Sequence, residues 1–415
     1  MSPTPLYSYS DAAIRVKRSD IVYRHMRDPA LLRHYYAVKT IKEINGLSLA
    51  GSSPTDIFVG RFGYPKVSIG PLVPPEFGDT TILGTPERWR FLNIEQIVDF
   101  RSKLVRGMQE VRVTDTEKPG LVEKVQELAM ADGTADSEMD FIKRPRFNMT
   151  LRDEVQPFGP SGTIKSFDMG DVRSDQKIES RFSDADADAK TSVVELYEKG
   201  VPVSKIQKAF SAGLFGLKQR RKFVPTRWSI TAVDDTLSKN TLEEVKSYEP
   251  VDSIYAYYNC ALDNRWLIFF MPGNWQYESI EAWWPKTVWN ENGKDISIYG
   301  SYEGWEGRKT YAEIGGCYYS GRLAITERMK ILKRQGVALI LREVHDGYIM
   351  PVGVWNVREH VRETLSTKPE TLENTQQMFD YIKGKLEIGT KEWIRNSRIL
   401  KDMLTQRRIP DFVKP

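Results

Sequence analysis

Strand signals in this chain come in separated blocks, not in alternation with helices. In the first block, residues 51–79, the run Ile57-Phe58-Val59-Gly60-Arg61-Phe62-Gly63-Tyr64-Pro65-Lys66-Val67-Ser68-Ile69-Gly70 sets β-branched and aromatic residues between breakers. That is the pattern of strands in a tight hairpin or meander. In the second, residues 251–284, Ile254–Leu262 and Trp266–Met271 are aromatic and aliphatic and meet at the turn Asp263-Asn264. Val337-Ala338-Leu339-Ile340-Leu341 adds a buried strand. A doubly wound fold requires strict strand–helix alternation, so the expected class is α+β (mixed): helical segments with antiparallel strand meanders. At 415 residues the chain exceeds one ordinary core. The expected organisation is an N-terminal region 1–280, a C-terminal region 281–397 and a tail 398–415, the two regions packed together.

Helical periodicity marks residues 20–45, with a Tyr-rich apolar stripe, and residues 94–110, with Ile97, Val98, Leu104 and Val105 on one face. A helix over 184–199 presents Val193, Val194, Leu196 and Tyr197, and Gly200 is placed to close it as a C-cap. Ser204 is placed to cap the next helix, which carries Ile206, Ala209 and Phe210. Further helices are expected over 318–335 and, as a pair, in 370–405. The polar, breaker-rich stretch 132–180 reads as long loops.

Composition excludes several classes. Hydrophobic residues make up 40% and charged residues 28%, ordinary for a soluble globular protein. Lys plus Arg is 60 against 56 for Asp plus Glu, a net +4 that by itself implies no polyanion partner. Met1–Arg18 lacks the apolar core of a signal peptide, and no apolar run approaches the ~20 residues of a membrane span. The expectation is a cytoplasmic protein with no membrane partner. Cys260 and Cys317 sit in apolar surroundings and read as two buried, reduced thiols. His25, His34, His345 and His360 stand at no zinc-ligand spacing, so neither a metal site nor a cofactor is expected.

The sharpest motif is at the end: Gln406-Arg407-Arg408-Ile409-Pro410-Asp411-Phe412-Val413-Lys414-Pro415. Gln, two residues, an aliphatic, two residues, an aromatic and then an apolar residue resembles the clamp-binding motif known as the PIP box. In a single 3₁₀ turn, residues i and i+3 eclipse, which brings Ile409, Phe412 and Val413 to one side as an apolar plug. Gln406 offers donors and an acceptor to a polar niche beside it. Val413 stands where the usual pattern has a second aromatic. The bland alternative is a tail folded back on its own core.

A second signal is charge. Lys199–Val233 contains no acidic residue, while Lys199, Lys205, Lys208, Lys218, Arg220, Arg221, Lys222 and Arg227 lie within it. Lys218, Arg221 and Lys222 share a face if this part is helical, and the helix–Gly200–helix spacing loosely resembles a helix-turn-helix. Phosphate contact through Lys218, Arg220, Arg221, Lys222 and Arg227 would be sequence-independent; the alternative is a solvated or internally paired face. Third, Pro225–Lys239 reads as a strand ending in Asp234-Asp235 at a helix start. There the acidic pair favours the helix dipole; the sharper alternative is a catalytic or metal-binding pair near Arg227 and Lys239. Gly60–Lys66 and Gly315-Gly316-Cys317-Tyr318-Tyr319 could meet phosphate or base, although neither matches a Walker or dinucleotide fingerprint and tight turns explain both. Gly353–Glu359 reads as a buried network or a pocket lining.

Phe58–Arg61 through Gly70–Pro74, Pro86-Glu87-Arg88-Trp89, Pro225–Leu237, Gly315–Tyr319 and Val354–Glu359 together resemble the archaeal Nre DNA-repair proteins, over nearly the whole chain. The resemblance implies an N-terminal and a smaller C-terminal Nre region and a role in DNA damage repair. It also implies a C-terminal PIP box for the archaeal sliding clamp PCNA, carried here by Gln406, Ile409, Phe412 and Val413. Members often begin with a cysteine-rich, zinc-ribbon-like segment, and no cysteine stands near Met1 here. The family supplies no catalytic residue. Three functions follow: a repair factor that binds PCNA and DNA, a clamp-recruited repair enzyme such as a nuclease or glycosylase using Asp234, Asp235 or Lys239, or a nucleotide-binding regulator using the Gly-rich segments.

Overall fold

The computed structural model describes residues 44, 46–146, 155–287, 289–290 and 293–405. The helix expected over 20–45, apart from Ile44, and the motif Gln406–Pro415 lie outside them. Strands β1 (Ser48–Ser53), β2 (Asp56–Val59), β3 (Lys66–Val73), β4 (Val105–Arg112), β5 (Ala135–Phe141) and β6 (Ser161–Met169) form one sheet in the order β1-β5-β6-β4-β3-β2. Strands β7 (Ile254–Ala261), β8 (Asn264–Met271), β9 (Gln276–Trp283), β10 (Ser297–Glu303), β11 (Val337–Val344) and β12 (Glu370–Leu372) form a second, β10-β9-β11-β8-β7-β12. Each has one parallel pair, β4 with β6 and β9 with β11, among antiparallel neighbours. The α+β class is what the blocks of strand signal imply. Strand β9 runs through residue 280, so the second sheet takes strands from both sides of the expected boundary.

The helices are α1 (Ile94–Ser102), α2 (Leu121–Met130), α3 (Gln176–Ser183), α4 (Ala189–Glu198), α5 (Val203–Ser211), α6 (Thr226–Val245), α7 (Gly316–Leu332), α8 (Trp355–Ser366), α9 (Thr375–Lys385), α10 (Thr390–Asn396) and α11 (Arg398–Thr405). Helix α6 joins the halves. Val233 and Leu237 pack into the core of the first sheet, while Ile230, Leu242 and Val245 pack with α7, α8 and the second. The second sheet is covered on both faces, as its continuous apolar strands require. With a side-chain period of two, Trp266, Ile268 and Phe270 meet α7 and α8. Leu267, Phe269 and Met271 meet the C-terminal helices on the other face. There the buried Glu278 carboxylate caps α11, accepting from Arg398 N at 2.8 Å, Ile399 N at 2.9 Å and Ser397 Oγ at 2.6 Å.

Several local expectations change. Pro225–Lys239 is not a strand running into a helix start but the first part of α6, so the acidic pair sits mid-helix. The β-branched residues there imitate a strand, while Ile230, Val233 and Leu237 keep helical spacing. Residues 94–110 split into α1 and β4, because Val105 and Arg106 pair with β3 inside the sheet. The stretch 132–180 holds β5 and β6 as well as loops. In β5 the outward Asp136, Glu138 and Asp140 hide a strict buried alternation of Ala135, Ser137, Met139 and Phe141. Residues 184–199 begin with an Asp188-capped turn, not with helix. Gly200 does close α4, at φ +78. Ser204 lies inside α5, and its N–H and hydroxyl donate to the Glu87 carboxylate at 2.9 and 2.7 Å. Residues 370–405 hold three short helices and β12. Both cysteines are free, but Cys260 is exposed. Among the described residues no helix is long and apolar enough to cross a membrane.

Candidate functional site

The parallel pairing of β9 with β11 places Glu281 directly beside Arg342. Both point to the face that carries α7 and α8, where a cavity of about 380 Å³ opens. Trp283, Trp289, Tyr299, Tyr311 and Tyr348 contribute its rings, and Arg227 reaches it from the first turn of α6. Gly315, Cys317, Gly353 and Val357 complete it from the starts of α7 and α8. Gly315 adopts φ 59 and ψ −139 as the residue before α7. At Gly353, φ is +99, and a Cβ would meet the backbone of Val155 and Gln156 at 3.0–3.1 Å. A side chain at Gly353 is therefore both strained and blocked.

The floor is polar and fixed. Arg342 Nη1 donates to Glu281 Oε1 at 2.7 Å and its Nε to Asn264 Oδ1 at 2.8 Å. Its guanidinium lies 4.7 Å from the Trp266 ring centroid and 5.3 Å from that of Trp283. Burial pulls the Arg342 pKa down, but the Glu281 carboxylate together with Cys317 and Tyr348 turns the net direction upward. The Tyr348 hydroxyl accepts from Val352 N at 3.2 Å and Asn356 Nδ2 at 3.4 Å. Burial raises its pKa, so it stays protonated. At the rim, Arg308 holds both carboxylate oxygens of Glu313 at 2.8 Å. That contact, with one from Ser301, lowers the Glu313 pKa to about 2.

Three separately noted segments thus converge on one cavity: Arg227 from Pro225–Lys239, Gly315 and Cys317 from the second Gly-rich place, and Gly353 and Val357 from Gly353–Glu359. The remainder of the last segment is also a buried network, in which Arg358 contacts Asp234 and Glu359. Glu281 and Arg342 were missed. The available signal was a cation at the period-two position that follows Ala338 and Ile340.

The weak catalytic candidates lie elsewhere. Asp234 is fully buried and accepts from Gln207 Nε2 at 3.0 Å, Ser320 Oγ at 2.5 Å and Arg358 Nη1 at 3.0 Å. Burial raises its pKa, and the Arg358 charge offsets this only in part. Asp235 contacts Arg322, and its Oδ2 takes the exposed Lys239 Nζ at 2.8 Å. None of the three lines the cavity. Of the basic residues, Lys205 and Lys208 of α5 pair within the fold with Asp175 and Asp56 at 2.9 and 3.4 Å. Residues 218–220 form one 3₁₀ turn, not a helical face. Lys218, Arg220 and Lys222 are exposed there. Arg221 is buried, donating to the Gly216 and Asp184 carbonyls at 2.9 Å and lying over the Phe182 ring. Tyr64 of the first Gly-rich place rests on Trp228 with centroids 5.3 Å apart, and neither lines the cavity.

Residues 26–290 match the family described as archaeal Nre, N-terminal, and residues 303–412 match archaeal Nre, C-terminal. The chain is 41% identical over 357 residues to a protein of Archaeoglobus fulgidus named DNA repair protein NreB, covering 85% of this chain and 89% of that one. It is 32% identical to DNA repair protein NreA of the same organism, covering 88% and 90%. With DNA repair protein NreA of Haloferax volcanii the identity is 34%, covering 77% and 78%. The chain belongs to the archaeal Nre family.

Proposed function

We propose that this chain is a DNA-repair factor that docks on the sliding clamp PCNA through Gln406–Pro415 and contacts DNA phosphates through Lys218, Arg220 and Lys222. The relatives' names support the repair role, and the near full-length cover supports carrying it across. The observation that carries the clamp reading is the spacing of Gln406, Ile409, Phe412 and Val413, which starts directly after α11 ends at Thr405. Leu404 in that last turn is exposed. For DNA, three exposed cations at one turn suit backbone contact without base readout. Among the described residues no group of three or more Asp, Glu, His or Cys is placed to hold a metal ion. The burial of Asp234, held by Gln207, Ser320 and Arg358, suits a structural place for that carboxylate.

Calorimetry with the cognate clamp tests it. Truncating an aromatic anchor costs about 2 kcal/mol or more, so Phe412→Ala is expected to weaken binding roughly thirty-fold. Gln406→Ala costs less, about 1 kcal/mol for a rim hydrogen bond. Deleting 406–415 abolishes binding and leaves the thermal midpoint nearly unchanged. Clamp binding that survives the deletion sinks the assignment.

A further inference from the structure

No residue of the basic turn lines the cavity on the β9–β11 floor. Its volume of about 380 Å³ is that of a small-molecule site. Its contents are unusual in two ways. Five aromatic rings line it, and three of them, Trp289, Tyr299 and Tyr311, are 37%, 53% and 55% exposed at the mouth. Exposed rings around a concavity offer faces for stacking. Beneath them lies a buried ion pair, and a buried pair is poor evidence of a role in stability alone. Arg342 uses Nε and Nη1 for Asn264 and Glu281, while Glu281 uses one oxygen for Arg342. Arg342 Nη2 and Glu281 Oε2 take no part in these two bonds. The Tyr348 hydroxyl accepts twice. The floor thus presents fixed donors beside a fixed acceptor at the bottom of an aromatic slot.

We propose that this cavity takes a nucleobase bearing a phosphate, with the ring stacked between the mouth aromatics and its polar edge on Glu281 and Arg342. A base edge sets an N–H next to a carbonyl or ring nitrogen, which is the complement of a carboxylate oxygen beside a guanidinium N–H. Stacking on aromatic side chains with hydrogen bonds to the outer edge is how proteins read an unstacked base. Arg227 lines the cavity too, and a guanidinium is a group whose geometry matches a phosphate. Gly315 and Gly353 keep that side free of side chains. A ligand with charge but no flat ring would leave the aromatic walls unfilled. The base has two sources, a free nucleotide or a base extruded from a DNA strand, and the chemistry of the slot is common to both.

The test uses the full chain in two arms. Calorimetry with each deoxynucleoside monophosphate reports the free nucleotide. A duplex holding a fluorescent purine analogue opposite an abasic site reports extrusion, because emission rises when the analogue leaves the stack. Saturable binding in either arm is expected, and the responding arm identifies the source. Tyr299→Ala, at an exposed position that tolerates change, is expected to weaken the responding signal about tenfold, the scale of one base–aromatic stack. Glu281→Gln, which keeps the shape and removes the acceptor charge, is expected to weaken it at least as much. Deleting 406–415 leaves the signal unchanged, which separates failure here from failure of the clamp reading. No saturable binding in either arm, or binding that Tyr299→Ala leaves intact, overturns the proposal.

Discussion

Arg358 Nη1 lies 3.0 and 3.1 Å from the two carboxylate oxygens of Asp234, joining α8 to the middle of α6. Ser320 of α7 and Gln207 of α5 donate to the same carboxylate, so four helices meet on one buried group. Removing one partner leaves the other charged and desolvated, which typically costs about 3–5 kcal/mol. Asp234→Asn is expected to lose stability on that scale in urea unfolding. The double change Asp234→Leu with Arg358→Met, which removes both charges, is expected to lose far less. A single variant as stable as wild type would show that the pair contributes nothing to the packing.

His360 supplies a pH dependence. It stacks against Trp266 and meets Trp355 at a tilt, with Nδ1 2.9 Å from the Asn356 carbonyl oxygen and 2.6 Å from its side-chain oxygen. Nδ1 is therefore the protonated nitrogen of a neutral ring. Burial lowers its pKa from 6.5 to about 4. The unfolded chain takes up a proton below pH 6.5 that the folded chain refuses until about pH 4. The stabilisation is present above 6.5 and is lost as pH falls through that window, by at most roughly 3 kcal/mol. Unfolding free energies measured across the window are expected to fall more steeply in wild type than in His360→Gln. Equal slopes would refute the assignment.

Glu278 gives a local effect. Its carboxylate accepts two α11 amides and the Ser397 hydroxyl, and hydrogen bonds to a charged acceptor are worth about 1.5–3 kcal/mol. Glu278→Ala is expected to speed hydrogen exchange at Arg398 and Ile399 by ten-fold or more while sparing the amides of α6. Unchanged exchange would mean that packing alone holds α11.

The basic turn is tested by salt. Each phosphate neutralised contributes about 0.9 to the slope of log affinity against log salt. Reversing Lys218, Arg220 and Lys222 to Glu is expected to weaken DNA binding and flatten that slope. Arg221→Glu should instead unfold its own loop, since its guanidinium bridges Gly216 and Asp184. A triple variant with wild-type slope would make the turn a solvated surface.

Apolar runs with clean breakers were legible in the sequence. The hairpin around Asp263-Asn264 and the strand Val337–Leu341 stand where the pattern puts them. Elements whose polar residues are internal were not. Asp234 and Ser238 are buried inside α6 and interrupt the apolar stripe of Ile230, Val233 and Leu237, and β5 hid behind its acidic outer face. The cavity was half legible. Arg227, Gly315 and Gly353 stood out as local oddities, whereas Glu281 and Arg342 become neighbours only through the parallel register of β9 and β11, which no local pattern encodes.

On the proposed clamp docking, the Glu278 cap also determines how far the protein can roam. Helix α11 is bolted by its first amides to a strand of the second sheet and ends at Thr405, with Gln406 next in the chain. An extended chain spans at most about 3.5 Å per residue, so Phe412, seven positions past Thr405 (412 − 405), lies within about 25 Å of the helix end. That leash is short beside a ring that encircles a duplex. A docked molecule would orbit close to the one clamp subunit it grips, and DNA leaving the ring would have to pass within that radius to be engaged.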